Sequence, residues 1–178
     1  MRATRAVIAI TLGATALIMV ATSPAGARRA PFTITSPAFA AGGLIPDGFT
    51  CKGANASLPL RWHGVPKHTE DLALIMEDPD ARVGTFVHWV AWGIDPVKHR
   101  LPEQTLPAGV IEGASGTGQP GYFGPCPPPS DGAHRYRITT YALDAAPDVA
   151  AGATAADLRA AIKGHVLATA KLVGRYDR

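Results

Sequence analysis

Cysteine, charge and aromatic side chains are all scarce in this sequence, and after residue 20 it contains no long apolar run. The two cysteines, Cys51 and Cys126, stand far apart with no C-x-x-C between them, which leaves no spacing for a thiolate zinc site. In an oxidising compartment they could pair, closing a loop that stabilises the fold by roughly 4 kcal/mol in the chain-entropy model. As two buried thiols they would instead serve as small core side chains, and both readings stand at this level. Lysine and arginine total 17 against 14 acids, and residues 1–27 hold two of the arginines and no acid, so residues 28–178 are nearly neutral. With no basic stripe and no interleaved aromatics, charge gives no reason to expect nucleic acid or an anionic membrane as partner.

One apolar run is present, from Ala6 to Val20, with Arg2 and Arg5 before it and Ala25-Gly26-Ala27 after it. This is the pattern of a secretory signal cleaved after residue 27. The run is shorter than the roughly 20 residues of a membrane-spanning helix, so no transmembrane segment is expected after cleavage; a retained anchor is the alternative. No cysteine lies at the cleavage region to carry a lipid, and Arg28-Arg29 follows the apolar run, whereas a twin-arginine export pair precedes it. The expectation is an exported protein, secreted or held in the envelope or periplasm. Residues 28–178, about 150 in all, suit one domain.

Phe32-Thr33-Ile34-Thr35 alternates at period two, and Leu60-Arg61-Trp62 resumes an extended pattern after a loop rich in Gly, Pro, Asp and Asn. Leu72 to Met76 is a continuous apolar run of strand length, which reads as a strand buried on both faces. Phe86–Ile94 and Tyr136–Leu143 read as further strands. Between them Pro102 to Ala133 is dense in Gly and Pro, and a segment that long in a compact domain reads as a functional loop. Thr154 and Asp157 fit a capping box, and Leu158, Ile162 and Val166 recur at helical spacing, so a helix is expected there, followed by a short strand over Lys171 to Tyr176. Strands with one late helix predict a mainly β protein, a sandwich with a few peripheral helices.

Several motifs fail on context. Gly116-Thr117-Gly118-Gln119-Pro120-Gly121 spells a dinucleotide fingerprint, yet Pro120 and Pro125 forbid the helix it needs. Ser115 sits in a near-miss of a nucleophile elbow and reads as a loop serine, and Asn55-Ala56-Ser57 matches the glycosylation sequon by three letters only. Asp78-Pro79-Asp80-Ala81 differs in kind, because Pro79 holds two carboxylates together at a strand end. Alone it would be a surface turn, and His88 alone a satisfied core residue. Together with His134 and the proline-stiffened run Gly124-Pro125-Cys126-Pro127-Pro128, they supply two acids and two imidazoles for one small pocket.

These segments occur in an order that resembles the phosphatidylethanolamine-binding proteins, specifically the bacterial branch called Raf-kinase-inhibitor-like. The signatures run from Ile45-Pro46 through Cys51-Lys52-Gly53-Ala54-Asn55-Ala56-Ser57, Leu60-Arg61-Trp62, Asp78-Pro79-Asp80-Ala81, His88-Trp89 and Gly121 to Pro128, ending on His134-Arg135-Tyr136. One departure is Arg82, where the family usually has a second proline; it could loosen the turn or add a cation at the pocket rim. The resemblance implies a β-sandwich without cofactor or metal, whose pocket binds small anions such as phosphate or the phosphoethanolamine headgroup. It implies Asp78, Asp80, His88, Gly124, Pro125, His134 and Tyr136 as ligand-binding residues, with Trp89 as a packing neighbour. It also implies a protein target, a kinase or a protease, as in some relatives.

Two carboxylates would repel phosphate, so the aspartates are expected to hold His88 or His134 protonated as donors, with backbone N–H groups beside Gly124 adding to them. Binding would then strengthen as pH falls. An aspartate could equally accept from a ligand ammonium. The alternative function is an enzyme using the same Asp/His set for acid–base or metal-assisted chemistry on a small metabolite. A third class is an envelope interaction protein, such as a homodimer.

Overall fold

The computed structural model describes residues 30–178, so the expected signal, residues 1–27, lies outside the described residues. Eight strands and one helix follow in the order β1 Thr33–Thr35, β2 Leu60–His63, β3 Asp71–Asp78, β4 Phe86–Ile94, β5 Arg100–Leu101, β6 Ile111–Glu112, β7 His134–Leu143, α1 Ala155–Ala161 and β8 Val166–Tyr176. They form a β-sandwich of two antiparallel sheets, β1-β2-β5 and β6-β4-β3-β7-β8, with one peripheral helix. Among the described residues the other helical turns are two three-residue 3-10 turns, Asp47–Phe49 and Pro96–Lys98.

The apolar run in the middle of the chain becomes the central strand, β3, buried along its whole length. Period-two alternation divides its side chains between two cores. Leu72, Leu74 and Met76 pack between the sheets with Trp62, Trp89 and Ile138, while Ala73 and Ile75 pack outward with Trp92, Leu158 and Ile162 beneath α1. Each such leucine, isoleucine or methionine contributes about 1.5–3 kcal/mol relative to exposure.

The expected helix over Leu158, Ile162 and Val166 is cut short. Its start is as expected: Asp157 N–H donates to Thr154 Oγ1 at 3.2 Å and Thr154 N–H donates to Asp157 Oδ2 at 2.9 Å. It stops at Ala161 because Gly164, at φ +90°, takes a left-handed turn, and Val166 already opens β8. β8 is therefore 11 residues long rather than a short strand from Lys171, since pairing with β7 satisfies its backbone along that length.

Asp71, at the start of β3, is a buried acid. It accepts N–H bonds from Gly93 at 3.1 Å and Ile94 at 2.8 Å, and burial still pushes its carboxyl up to about 6. An unfolded aspartic acid releases its proton near pH ~4, so between there and about pH 6 the folded chain binds more protons than the unfolded one. Stability from this group falls as pH rises through that window. Denaturant titrations should show the balance between the protein and its Asp71→Asn variant moving in the variant's favour from pH ~4 to ~6; a pH-independent difference would contradict the shift.

Candidate functional site

Strand geometry and one irregularity bring the Asp/His set together. At the end of β3, Glu77 and Asp78 face opposite sides of the sheet, and Asp78 turns inward. On β4, Trp89 pairs with Met76 and Val87 with Glu77, so His88 is the extra residue of a β-bulge. The bulge lets consecutive side chains serve one side of the sheet: His88 reaches the pocket while Trp89 fills the core, its indole N–H donating to Glu112 Oε1 at 2.8 Å. The first residue of β7 supplies His134, whose Nδ1 donates to Asp78 Oδ2 at 2.7 Å. Asp78 Oδ1 accepts the Asp80 N–H at 2.8 Å.

Asp78, His88 and His134 are each under 5 % exposed, yet all three line a cavity of about 310 Å³. The rest of its wall is apolar, from Ala81, Val83, Phe86, Phe123, Pro127, Pro128 and Cys126, with Arg82 at the rim. Behind Phe86 lies the glycine-rich run that imitates a nucleotide motif. A Cβ on Gly116 would fall 2.6 Å from the Phe86 ring, and the Ser115 hydroxyl donates to the Gln119 carbonyl at 3.1 Å, so this segment is a tight turn buttressing the wall.

His88 departs from the expected imidazolium. Its Nδ1 lies 2.6 Å from the Phe123 carbonyl, which can only accept, so Nδ1 carries the hydrogen. Burial pushes the ring below its ordinary pKa despite that carbonyl and Asp78. At neutral pH the ring is uncharged and Nε2 is a lone-pair acceptor. The expected strengthening of binding as pH falls therefore does not apply to His88. His134 is held at both ends by acids, with Asp131 Oδ2 3.7 Å from its Nε2.

Four of the expected site residues stand outside the cavity lining. Asp80 accepts from the Arg135 backbone N–H at 2.8 Å, Nε at 2.9 Å and Nη2 at 2.5 Å, and this guanidinium holds its carboxyl down to about 2. It braces the turn from a neighbouring ionic cluster with Arg82, Asp131 and Arg175. Gly124 lies behind the wall, where its N–H donates to Asn55 Oδ1 at 2.7 Å, so the backbone donor expected there is taken. A Cβ on Gly124 would sit 2.5 Å from the Phe49 carbonyl oxygen, which explains glycine at this position. The Pro125 carbonyl accepts the Cys51 N–H at 3.1 Å, and Cys51 and Cys126 are joined by a disulfide with Cα atoms 5.4 Å apart.

Tyr136 packs edge-on against His88, ring centroids 5.1 Å apart. Its buried hydroxyl lies beside the Cys126 backbone at a geometry short of a full hydrogen bond. Tyr136→Phe should consequently change the melting temperature by no more than a degree or two in either direction, since a weakly satisfied buried hydroxyl contributes about 0.5 kcal/mol or less. A loss of several degrees would mean that the hydroxyl has a partner.

Arg82 spans the pocket edge. Its Nε donates to Asp131 Oδ2 at 2.7 Å, its Nη2 to Asp131 Oδ1 and, at 3.0 Å, to Ser130 Oγ, so Arg82 ties two loops together. Sequence reasoning did not name Phe86, Phe123, Asn55 or Asp131 for the site. Phe86 was within reach, two residues before His88 on a strand; Asp131, 49 positions from Arg82, had no local signal. Among the described residues no group of three or more His, Cys, Asp or Glu side chains could hold a metal ion, and no helix is long and apolar enough to cross a membrane. The cavity wall contains no hydroxyl and no free thiol.

Comparison with known proteins gives the family. The family model described as phosphatidylethanolamine-binding protein matches residues 35–177. Mycobacterium tuberculosis LppC, named as a lipoprotein, is 43% identical over 157 residues, covering 88% of this chain and 77% of LppC. A UPF0098 protein of Methanothermobacter thermautotrophicus is 45% identical over 141 residues, covering 76% of this chain and 92% of its own. Among solved structures, the phosphatidylethanolamine-binding protein homolog CT736 of Chlamydia trachomatis superposes with a TM-score of 0.79 at 37% identity, covering 83% of this chain and 98% of that one. Escherichia coli YbcL gives 0.77 at 28% identity, covering 84% and 99%.

Proposed function

Since the chain belongs to the phosphatidylethanolamine-binding protein family, we propose that its Asp78/His88/His134 cavity binds a small zwitterionic or anionic headgroup of the phosphoethanolamine type, in an exported protein. The observation that carries this reading is His88, its Nδ1 held by the Phe123 carbonyl, beside the Asp78–His134 pair at the polar end of an otherwise apolar cavity. His88 Nε2 and the Asp78 carboxylate are acceptors, which suits an ammonium group; the Arg82 guanidinium at the rim suits the phosphate. Phe86 and Phe123 give the intervening methylenes an apolar surface. The cavity is at the small end of the range for ligand sites, enough for a headgroup and short of a whole lipid. The name of LppC supports export.

Amide NMR titration of residues 28–178 with glycerophosphoethanolamine tests the reading. Its phosphodiester does not titrate near neutrality, so pH acts on the protein alone. Saturable shifts at Asp78, His88, Phe123 and His134 are expected, lost in His88→Ala. Affinity should stay level above pH ~6.5 and weaken as pH falls below the depressed pKa of His88, where Nε2 gains a proton. Affinity that rises towards acid would contradict the acceptor role of His88.

A further inference from the structure

A second polar hollow lies on the outer face of the five-stranded sheet, away from the headgroup cavity. Glu77 points to this side, and its buried carboxylate meets Arg137 Nη2 at 3.2 Å and Arg159 Nη2 at 2.7 Å. One acid thus faces two guanidiniums. Lys171, on the same hollow, has no acidic partner among the described residues, which leaves two positive charges in excess. The hollow encloses about 280 Å³.

Its floor is built by strand register. Thr139 on β7 pairs with Lys171 on β8, and Tyr141 with Thr169, so hydroxyls and cations alternate on one face. Thr139 is only 5% exposed and lines the hollow, yet its hydroxyl makes no hydrogen bond to the protein. The hydroxyl is not sealed from solvent, so it is open to a ligand entering the hollow. Arg159 donates to Glu77 and lies beside Tyr141, whereas Arg137 gives Glu77 one of its five N–H groups and keeps the others uncommitted. The structural requirement, neutralising Glu77, is met by one arginine; the second arginine, the lysine and the threonine remain for a ligand.

We propose that this hollow binds a compact dianionic oxyanion, a phosphate or phosphomonoester group, through Arg137, Lys171 and the Thr139 hydroxyl. The excess of two positive charges matches a dianion. The site lies on the opposite face of β3 from Asp78, and the inference does not depend on the headgroup reading.

The test is an amide titration of the full-length chain with inorganic phosphate at constant ionic strength, repeated in Lys171→Gln and Thr139→Val. Neither substitution removes a partner of Glu77. Saturable shifts at Thr139, Thr169 and Lys171 are expected, with affinity reduced on the order of tenfold in each variant and melting temperature and glycerophosphoethanolamine shifts at His88 retained. Competition by phosphatidylcholine vesicles containing phosphatidic acid would assign the oxyanion to a lipid headgroup; phosphate binding without such competition would assign it to a soluble phosphate. Shifts that never saturate, shifts confined to His88 and His134, or unchanged affinity in both variants would overturn the proposal. His88→Ala should leave the phosphate shifts in place, which separates failure here from failure of the headgroup pocket.

Discussion

Replacing both Cys51 and Cys126 by alanine is expected to lower the free energy of unfolding by about 4 kcal/mol. The bond links positions 75 apart, and opening it returns that loop's freedom to the unfolded chain. A loss of this size is a large fraction of the ~5–15 kcal/mol that holds a domain of this kind together. Function should suffer as well, because Cys126 lines the cavity and the neighbouring Pro125 carbonyl is bound by Cys51 N–H. Chemical denaturation of the double variant, beside the native protein with and without reductant, checks the stability term. Reduction should reproduce the variant; a difference below about 1 kcal/mol would mean that the unfolded chain is constrained by something other than the bond.

Asp78→Asn should abolish saturable glycerophosphoethanolamine binding while lowering stability by about 1–3 kcal/mol. The asparagine oxygen can still accept the Asp80 N–H, but its amide nitrogen would then face His134 Nδ1, donor against donor. His134 must shed that hydrogen and carry it on Nε2, or rotate out of a site where it is 4% exposed. The substitution removes the carboxylate proposed to meet an ammonium group, and either outcome changes what His134 presents to the cavity. Histidine side-chain NMR reads the tautomer directly. An unchanged His134 tautomer with full binding would show that Asp78 is only a turn residue.

Strands β1 to β4 and β7 were legible because their signals are local. Period-two alternation in Thr33–Thr35, the unbroken apolar run of β3 and the Thr-rich β7 each need only neighbours in sequence to be read. The end of α1 was not, because Leu158, Ile162 and Val166 keep helical spacing through a glycine whose left-handed turn ends the helix. Pairing of β8 with β7 outweighed that spacing at Val166, and no helix-period pattern reports such a partner. The long Gly/Pro segment could be read as a loop with a purpose, yet its anchors, Tyr122 O–H on the Phe49 carbonyl and Gly124 N–H on Asn55, join it to a region about seventy positions earlier.

The residue types of the pocket, their order and hence the family are properties of the sequence by itself, since ordered short motifs survive without coordinates. Which of those residues face the cavity is a property of the folded chain. His88 reaches it through a bulge, Asp80 is drawn away by Arg135, and Gly124 and Pro125 stand one layer behind. The protonation of His88 belongs to the same category. Its charge follows from desolvation and its tautomer from the Phe123 carbonyl that accepts the Nδ1 hydrogen, and both arise only when residues 35 positions apart are packed together.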